Sequence, residues 1–363
     1  MPFVIPIFIP HQGCPQQCLF CNQYSITGDG DRWVTGAQVT ATIREWLARP
    51  RRRPSESVQV AFYGGSFTCL PRARQEELLA AVQPFLQSQS MDRDSASPCL
   101  PGPVSLTPEK DEGRPAQVGC IRLSTRPDCV DNEVCSFLLS HGVGIVELGV
   151  QSLDDRVLQA SRRGHNADHC RRAVALLQAA GMEVGVQLMP GLPLETTGSF
   201  LRTVREVVAL APAFVRLYPV LVVEHAGLAL MYRRGEYQPL SMNRALALTR
   251  RAREILTAAG IRVVRIGLQP SISLERELVA GPYHPAFGEL VAARIWFRKI
   301  RPLLAGCPVG KRVTLRISPR DLSAVMGMKR SNMQRFAQMG LADRLEIKTD
   351  PKIQRGTLVY AVN

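Results

Sequence analysis

Short apolar runs alternate along the chain with stretches whose leucines, valines and alanines recur at helical spacing. The runs are Phe3–Ile9, Val58–Tyr63, Cys120–Ser124, Gly144–Val150, Glu183–Met189 and Phe214–Tyr218. Punctuation marks the helices between them. Pro50 closes one over residues 37–49, and residues 71–87 carry another. Asn166 caps a third that runs to Ala180 with Gly181 at its end, and Ser241 and Gly260 bracket a fourth. The alternation predicts βαβ units, a mostly parallel sheet and helices on its outside. Two segments break the rhythm. Residues 88–118 are rich in Ser and Pro and poor in large apolar groups, which predicts a disordered surface insertion. Near the C-terminus, Val313–Ile317 reads as a strand and is followed by helices at about 319–326 and 329–339. The text SAVMGMKRSNMQRF there resembles a helix-turn-helix, and Arg344–Thr349 with Thr357–Val362 are expected to form a wing-like hairpin. Such a module serves either nucleic acid or packing.

Length and charge refine this picture. A chain of 363 residues can bury one large core plus a small appendage. No apolar run reaches the roughly 18 residues a membrane helix needs, so no membrane partner is expected. The N-terminal MPFVIPIFIP is short, broken by proline and without a basic leader, and so predicts a buried first strand in a cytoplasmic, reducing setting. The net charge of +14 is uneven: residues 294–335 hold eleven Arg or Lys and one acid, Asp321, a net +10. A polyanion, most commonly nucleic acid, is the partner such a surface suits, the alternative being a solvated basic face.

The candidate chemistry begins at CPQQCLFC. Cys14, Cys18 and Cys21 fall in one loop directly after the first strand. Three thiolates from such a loop can hold three irons of a 4Fe–4S cluster and leave the fourth open to a substrate. A zinc site completed by His11 is the alternative. The other seven cysteines (69, 99, 120, 129, 135, 170, 307) have no regular spacing and are expected mostly to fill the core. Every later strand ends in a polar or glycine-rich break: Tyr63-Gly64-Gly65-Ser66, Ser124-Thr125-Arg126-Pro127-Asp128, Glu147-Leu148-Gly149-Val150-Gln151-Ser152 and Gln187-Leu188-Met189-Pro190-Gly191. In a parallel βα barrel these ends share one face, where sites are assembled.

In order, CPQQCLFC, YGGSFT, RLSTRPD, VELGVQSLDDRVL, SRRGH, VQLMPGLP and RLYPVLV resemble radical S-adenosylmethionine (SAM) proteins, most of all the branch containing the catalytic subunit of the Elongator complex. The resemblance covers roughly residues 3–300 apart from 88–118. It implies an α/β fold: a partial (β/α)6 radical SAM barrel over 1–220, a C-terminal extension over 221–305 and a small basic α+β appendage over 306–363. It also implies an enzyme that carries a 4Fe–4S cluster and reductively cleaves SAM to a 5′-deoxyadenosyl radical, with a flavodoxin or ferredoxin as electron donor. The expected target is RNA, a tRNA base. Alternatives are a small-molecule or tetrapyrrole substrate, or a non-catalytic cluster- or haem-binding chaperone on the same fold. Phe20 is expected against adenine. Gly64 and Gly65 would face the methionyl ammonium, Ser124 and Gln151 the ribose, and Arg163 the SAM carboxylate, with Ser66, next to Gly65, also counted as cofactor-binding. Glu147 and Gln187 would point into the barrel interior or mouth. Relatives carry an acid where Gln187 stands and glutamate at Ser124. Elongator-type proteins add an acetyltransferase domain for which a chain ending at Asn363 leaves no room, so the stand-alone bacterial type is the closer expectation. In Gly281-Pro282-Tyr283-His284-Pro285, His284 is expected near the mouth or as a structural histidine.

Overall fold

The computed structural model describes residues 2–15, 17–22, 33–49, 57–86 and 118–363. Strands β1 (Phe3–Phe8), β2 (Val58–Tyr63), β3 (Val118–Thr125), β4 (Val143–Gln151), β5 (Glu183–Leu188) and β6 (Phe214–Leu217) form one parallel sheet in chain order. A further strand, β8 (Arg262–Ile266), joins beyond β6, so the sheet has seven strands among the described residues where six were expected. Edge position explains the omission. RVVRI carries two arginines and stays largely open to solvent, so it lacks the continuous apolar character of the inner strands. The expected insertion at 88–118 lies outside the described residues except for Val118, the first residue of β3.

Helices α1 (Gly36–Ala48), α2 (Arg72–Ala80) and α3 (Asn132–Ser140) follow the first three strands. Then α4 (Asp155–Ala160) and α5 (Ala167–Ala179) separate β4 from β5, and α6 (Thr197–Leu210) separates β5 from β6. Short α7 (Gly227–Arg233) and long α8 (Met242–Ala258) lead to β8. Side-chain caps hold the starts of all but α2 and α7: Asn166, for example, forms a capping box with His169, and Ser241 accepts from Arg244 N. Each such cap stabilises its helix by about 1 kcal/mol. The period-2 alternation of the strands separates two faces. Outward residues such as Val60, Phe62, Ile121, Leu123, Val146, Leu148, Val184, Val186, Val215 and Leu217 share one buried core under the helices. The inward positions include Gln59, Tyr63, Arg122, Ser124, Glu147, Gln187 and Arg216, which leave the barrel interior polar and hollow. A small ribbon pairs β7 (Val222–Val223) with β9 (Leu278–Ala280), and α9 (Ile272–Glu277) precedes it.

The C-terminal module is built on α10 (Phe287–Ala305). Its Trp296, Phe297, Ile300 and Leu304 pack against β10 (Val313–Ile317) and against Phe336 of α12 (Ser331–Gln338) in a second core. The expected hairpin is not formed. Strand β10 sits in the centre, with β11 (Leu345–Thr349) parallel on one side and β12 (Leu358–Val362) antiparallel on the other. The intervening segment is anchored across the end of β10: Asp350 N donates to Ile317 O at 2.8 Å, and Gly356 N to Asp321 Oδ2 at 2.6 Å. That crossing carries β12 to the far edge. Helix α11 (Leu322–Met326) spans only five residues, so the helix-turn-helix resemblance is loose.

Cys135, Cys170 and Cys307 are free and buried as core residues. Cys69 and Cys129 depart from that expectation. They form a disulfide with Cα atoms 5.5 Å apart, joining the loops that leave β2 and β3. Both follow strand ends that the parallel sheet sets side by side, a proximity their separation of 60 residues conceals. Among the described residues no helix is long and apolar enough to cross a membrane.

Candidate active site

The C-terminal strand ends open on a cavity of about 1220 Å³. The cysteine loop forms one wall, and its path is fixed by backbone bonds to the β2 loop. His11 N donates to Gly64 O at 3.1 Å, and Ser66 N donates to Gln12 O at 2.9 Å. Glycine is needed at two of these crossings. A Cβ on Gly65 would lie 2.4 Å from Gln12 O and 2.5 Å from Ile9 O, and one on Gly13 would lie 2.2 Å from Ser66 O. No side chain fits at such distances. The Gly-Gly pair therefore seats the cysteine loop, and the Gly64 carbonyl is engaged by the chain itself.

Cys14, Cys18 and Cys21 are free thiols, and all three line the cavity. Cys14 Sγ lies 3.5 Å from Ser66 Oγ. Burial pushes its thiol above the ordinary value, against the Ser66 hydrogen bond, which lowers it. Cys18 Sγ accepts from Arg163 Nη1 at 3.0 Å, while Arg163 Nη2 donates to Gly149 O at 2.6 Å. Among the described residues no three Cys, His, Asp or Glu side chains converge on a point as one zinc ion requires.

The other expected residues meet here too. Phe20, Gly64, Gly65, Ser66, Ser124, Gln151, Arg163 and Gln187 line the same cavity as the cysteines. Ser124 Oγ, Gln151 Oε1 and Arg163 Nε are buried without a hydrogen-bond partner, as atoms awaiting a polar ligand are. Gln151 ends β4 in the left-handed region (φ 66°), and the pairing with β5 shifts register there. Strain of this kind re-aims a side chain and is tolerated where the surroundings impose it. The Phe20 ring lies 5.8 Å from the Arg163 guanidinium. Gln187 Nε2 reaches Glu147 Oε2 at 3.5 Å. His284 does not line the cavity; its Nδ1 accepts from Ala286 N at 3.0 Å, beside the start of α10, which is a structural role.

Three arginines were not anticipated. Glu147 is fully buried between Arg122 (Nε to Oε1, 2.7 Å) and Arg216 (Nη2 to Oε1, 3.0 Å). Arg216 also reaches the hydroxyls of Tyr218 and Tyr63 at 3.0 and 3.2 Å. Burial, reinforced by Glu147, pushes the Tyr63 phenol up to about 12, so it stays neutral while its oxygen accepts from Arg216. Arg126, just past β3, is held by Asp128 through two bonds of 3.0 and 2.8 Å, leaving its buried Nη1 without a partner at the cavity wall. For Arg122 and Arg216 the signal was a single charge within an otherwise apolar strand. Register sets Ser124 opposite Glu147 and, one inward layer further along, Gln187 opposite Arg216, since Glu147 itself pairs with Gly185.

A model of the Radical SAM superfamily matches residues 8–207, and one of the Radical_SAM C-terminal domain matches residues 212–296. The tRNA uridine(34) acetyltransferase of Methanocaldococcus jannaschii is 27% identical over 276 residues, covering 70% of this chain and 49% of that protein. Elongator complex protein 3 of Saccharomyces cerevisiae is 28% identical over 201 residues, 54% of this chain and 34% of that protein. The chain thus spans at most about half the length of these relatives. Among solved structures, the archaeal Methanocaldococcus infernus Elp3 with an N-terminal deletion shares the fold, with a TM-score of 0.59 and 23% identity over 82% of this chain and 63% of that one.

Proposed function

Because this chain belongs to the radical SAM superfamily, whose members are enzymes that use a 4Fe–4S cluster and SAM, we propose that it modifies RNA, with a tRNA base as substrate. The observation that carries the reading is the convergence on one cavity of three free cysteines and three orphaned polar groups, Ser124 Oγ, Gln151 Oε1 and Arg163 Nε. Cys14, Cys18 and Cys21 would hold the cluster, which with SAM bound supplies reductive cleavage to a hydrogen-abstracting 5′-deoxyadenosyl radical. A flavodoxin or ferredoxin would deliver the electron.

The chain's own residues then have distinct tasks. Arg163 offsets charge at the cysteine loop and presents its Nε inward. Gln151 and Ser124 offer an acceptor and a hydroxyl to the ribose of SAM. Phe20 supplies a flat apolar wall for the adenine. Gln187, held by Glu147, lies deeper on the side where substrate would sit. Support for tRNA comes from the printed names of the relatives and from the basic C-terminal segment.

A second reading rests on the depth of the cavity. It runs past Arg122 down to Gln59 and Phe214 near the starts of their strands, which favours a small anionic metabolite. One experiment separates the two: protein with reconstituted and reduced cluster is given SAM with either unfractionated tRNA or a metabolite extract. Faster 5′-deoxyadenosine release with tRNA is the expected result. Acceleration by the extract alone would overturn the RNA reading.

A further inference from the structure

We propose that the outer face of α10, with the turn between α11 and α12, is a docking surface for the phosphate backbone of the substrate RNA. The inference rests on the RNA-modifying reading and adds a place of contact. The surface begins at the edge of the matched C-terminal domain, residues 212–296, and continues beyond it.

Within 294–335 the single acid is already used: Asp321 is buried and accepts from Gly356 N at 2.6 Å. Arg298, Arg301, Lys311, Arg320, Lys329 and Arg330 are exposed, and their side chains make no ion pair or hydrogen bond among the described residues. Arg298 and Arg301 stand three residues apart and so share one face of α10.

The turn is built to hold two of these charges in place. Lys329 and Arg330 are consecutive residues in the left-handed region, with φ of 49° and 61°. That conformation is unfavourable for a residue that carries a Cβ, so neighbouring contacts must impose it. Asn332, which is buried, does so: its Nδ2 donates to Ala293 O at 2.9 Å, to Val325 O at 3.1 Å and to Ala324 O at 3.3 Å. The bond to Ala293 also brings the turn beside Arg294.

Arg294 adds a third observation. It is pinned to Asn243 O and Oδ1 at 2.9 and 3.0 Å. Burial lowers its pKa, and the nearby Arg335 and Arg250 lower it further. Arg335 lies 3.7 Å over the Phe297 ring, and Arg250 already pairs with Glu254. Like charges crowded this way, with no carboxylate at Arg294 or Arg335 among the described residues, favour an external anion. Several fixed cations spread over one rigid module suit successive phosphates and carry no base readout.

The test uses the full chain with its cluster and fluorescently labelled unfractionated tRNA, with binding read by anisotropy from about 0.05 to 0.3 M salt. The variants are Lys329→Asn with Arg330→Asn, since asparagine tolerates left-handed backbone, and Arg298→Gln with Arg301→Gln. Each pair should weaken binding at least about tenfold at 0.1 M salt and lower the slope of log Kd against log salt by about two. Basal 5′-deoxyadenosine formation without RNA should stay at the wild-type level. If wild type binds tRNA and both variants keep its slope, the docking surface is wrong while the RNA reading stands. If wild type binds no tRNA even at low salt, both fail. Polyglutamate or phosphatidylserine vesicles that compete as well as tRNA at equal charge would reassign the surface to an acidic protein or a membrane.

Discussion

Single residues in and around the cysteine loop bear consequences out of proportion to their size. Gly65 has backbone oxygens on two sides, so Gly65→Ala must push the loop off β2. We expect a cost of about 3 kcal/mol and a large fall in iron bound per chain after reconstitution, with circular dichroism of the barrel retained. Full iron loading in that variant would contradict the packing argument. His165 offers a test by pH. Burial, with Arg163 adding to it, holds its pKa down to about 3 from an ordinary 6.5, even though Asp128 lies 3.8 Å away. Its ring therefore stays neutral in the folded chain, while the unfolded chain takes up a proton near 6.5. The unfolded state binds more protons below that value, so stability must fall as pH drops. The thermal midpoint should decline from pH 6.5 to about pH 5, and His165→Leu should flatten that decline. Parallel curves for the two proteins would remove the claim. SRRGH drew attention in the sequence to Arg163. That its histidine is buried is a matter of packing, which no local pattern reveals.

At the scale of elements, apolar runs located six of the seven sheet strands to within two residues at each end, because the outward face of each is continuously apolar under the helices and only isolated polar residues interrupt the inward one. The same feature hid β8, whose edge position tolerates two arginines. It also drew attention away from the inward arginines, which were legible only as single charges within apolar runs. The Arg122–Glu147–Arg216 group is the chief element-level consequence, since β3, β4 and, beyond β5, β6 meet in it. Removing its central anion leaves two buried guanidinium groups uncompensated, so Glu147→Gln should destabilise by about 3–5 kcal/mol in urea unfolding. A loss under about 1 kcal/mol would mean that water already solvates the pair. The C-terminal strands were found as strands but wrongly paired. Hairpin pairing is a local inference, whereas here Asp350 and Asp321 route the chain across β10.

For the whole molecule, two cores share one chain: the sheet and its helices, and the module wrapped on the far half of α10. Phe336 stacks on Phe297 with centroids 4.9 Å apart and is fully buried. Phe336→Ala should cost about 3–5 kcal/mol within the module, weakening RNA binding while RNA-independent SAM cleavage persists. Loss of both activities together would show that the cores do not act separately. The convergence of the strand ends on one mouth was legible because topology alone requires it. The depth of that cavity was not, because it depends on which inward side chains fail to fill the barrel. The central claim is that the cysteine loop holds a cluster with an iron left open for SAM. Its most direct test is low-temperature electron paramagnetic resonance of the reconstituted, reduced protein before and after adding SAM. The account predicts a cluster signal that changes on SAM addition, is lost in Cys14→Ala and is retained in Cys307→Ala. A spectrum indifferent to saturating SAM, or equal cluster loading in all three proteins, would contradict it.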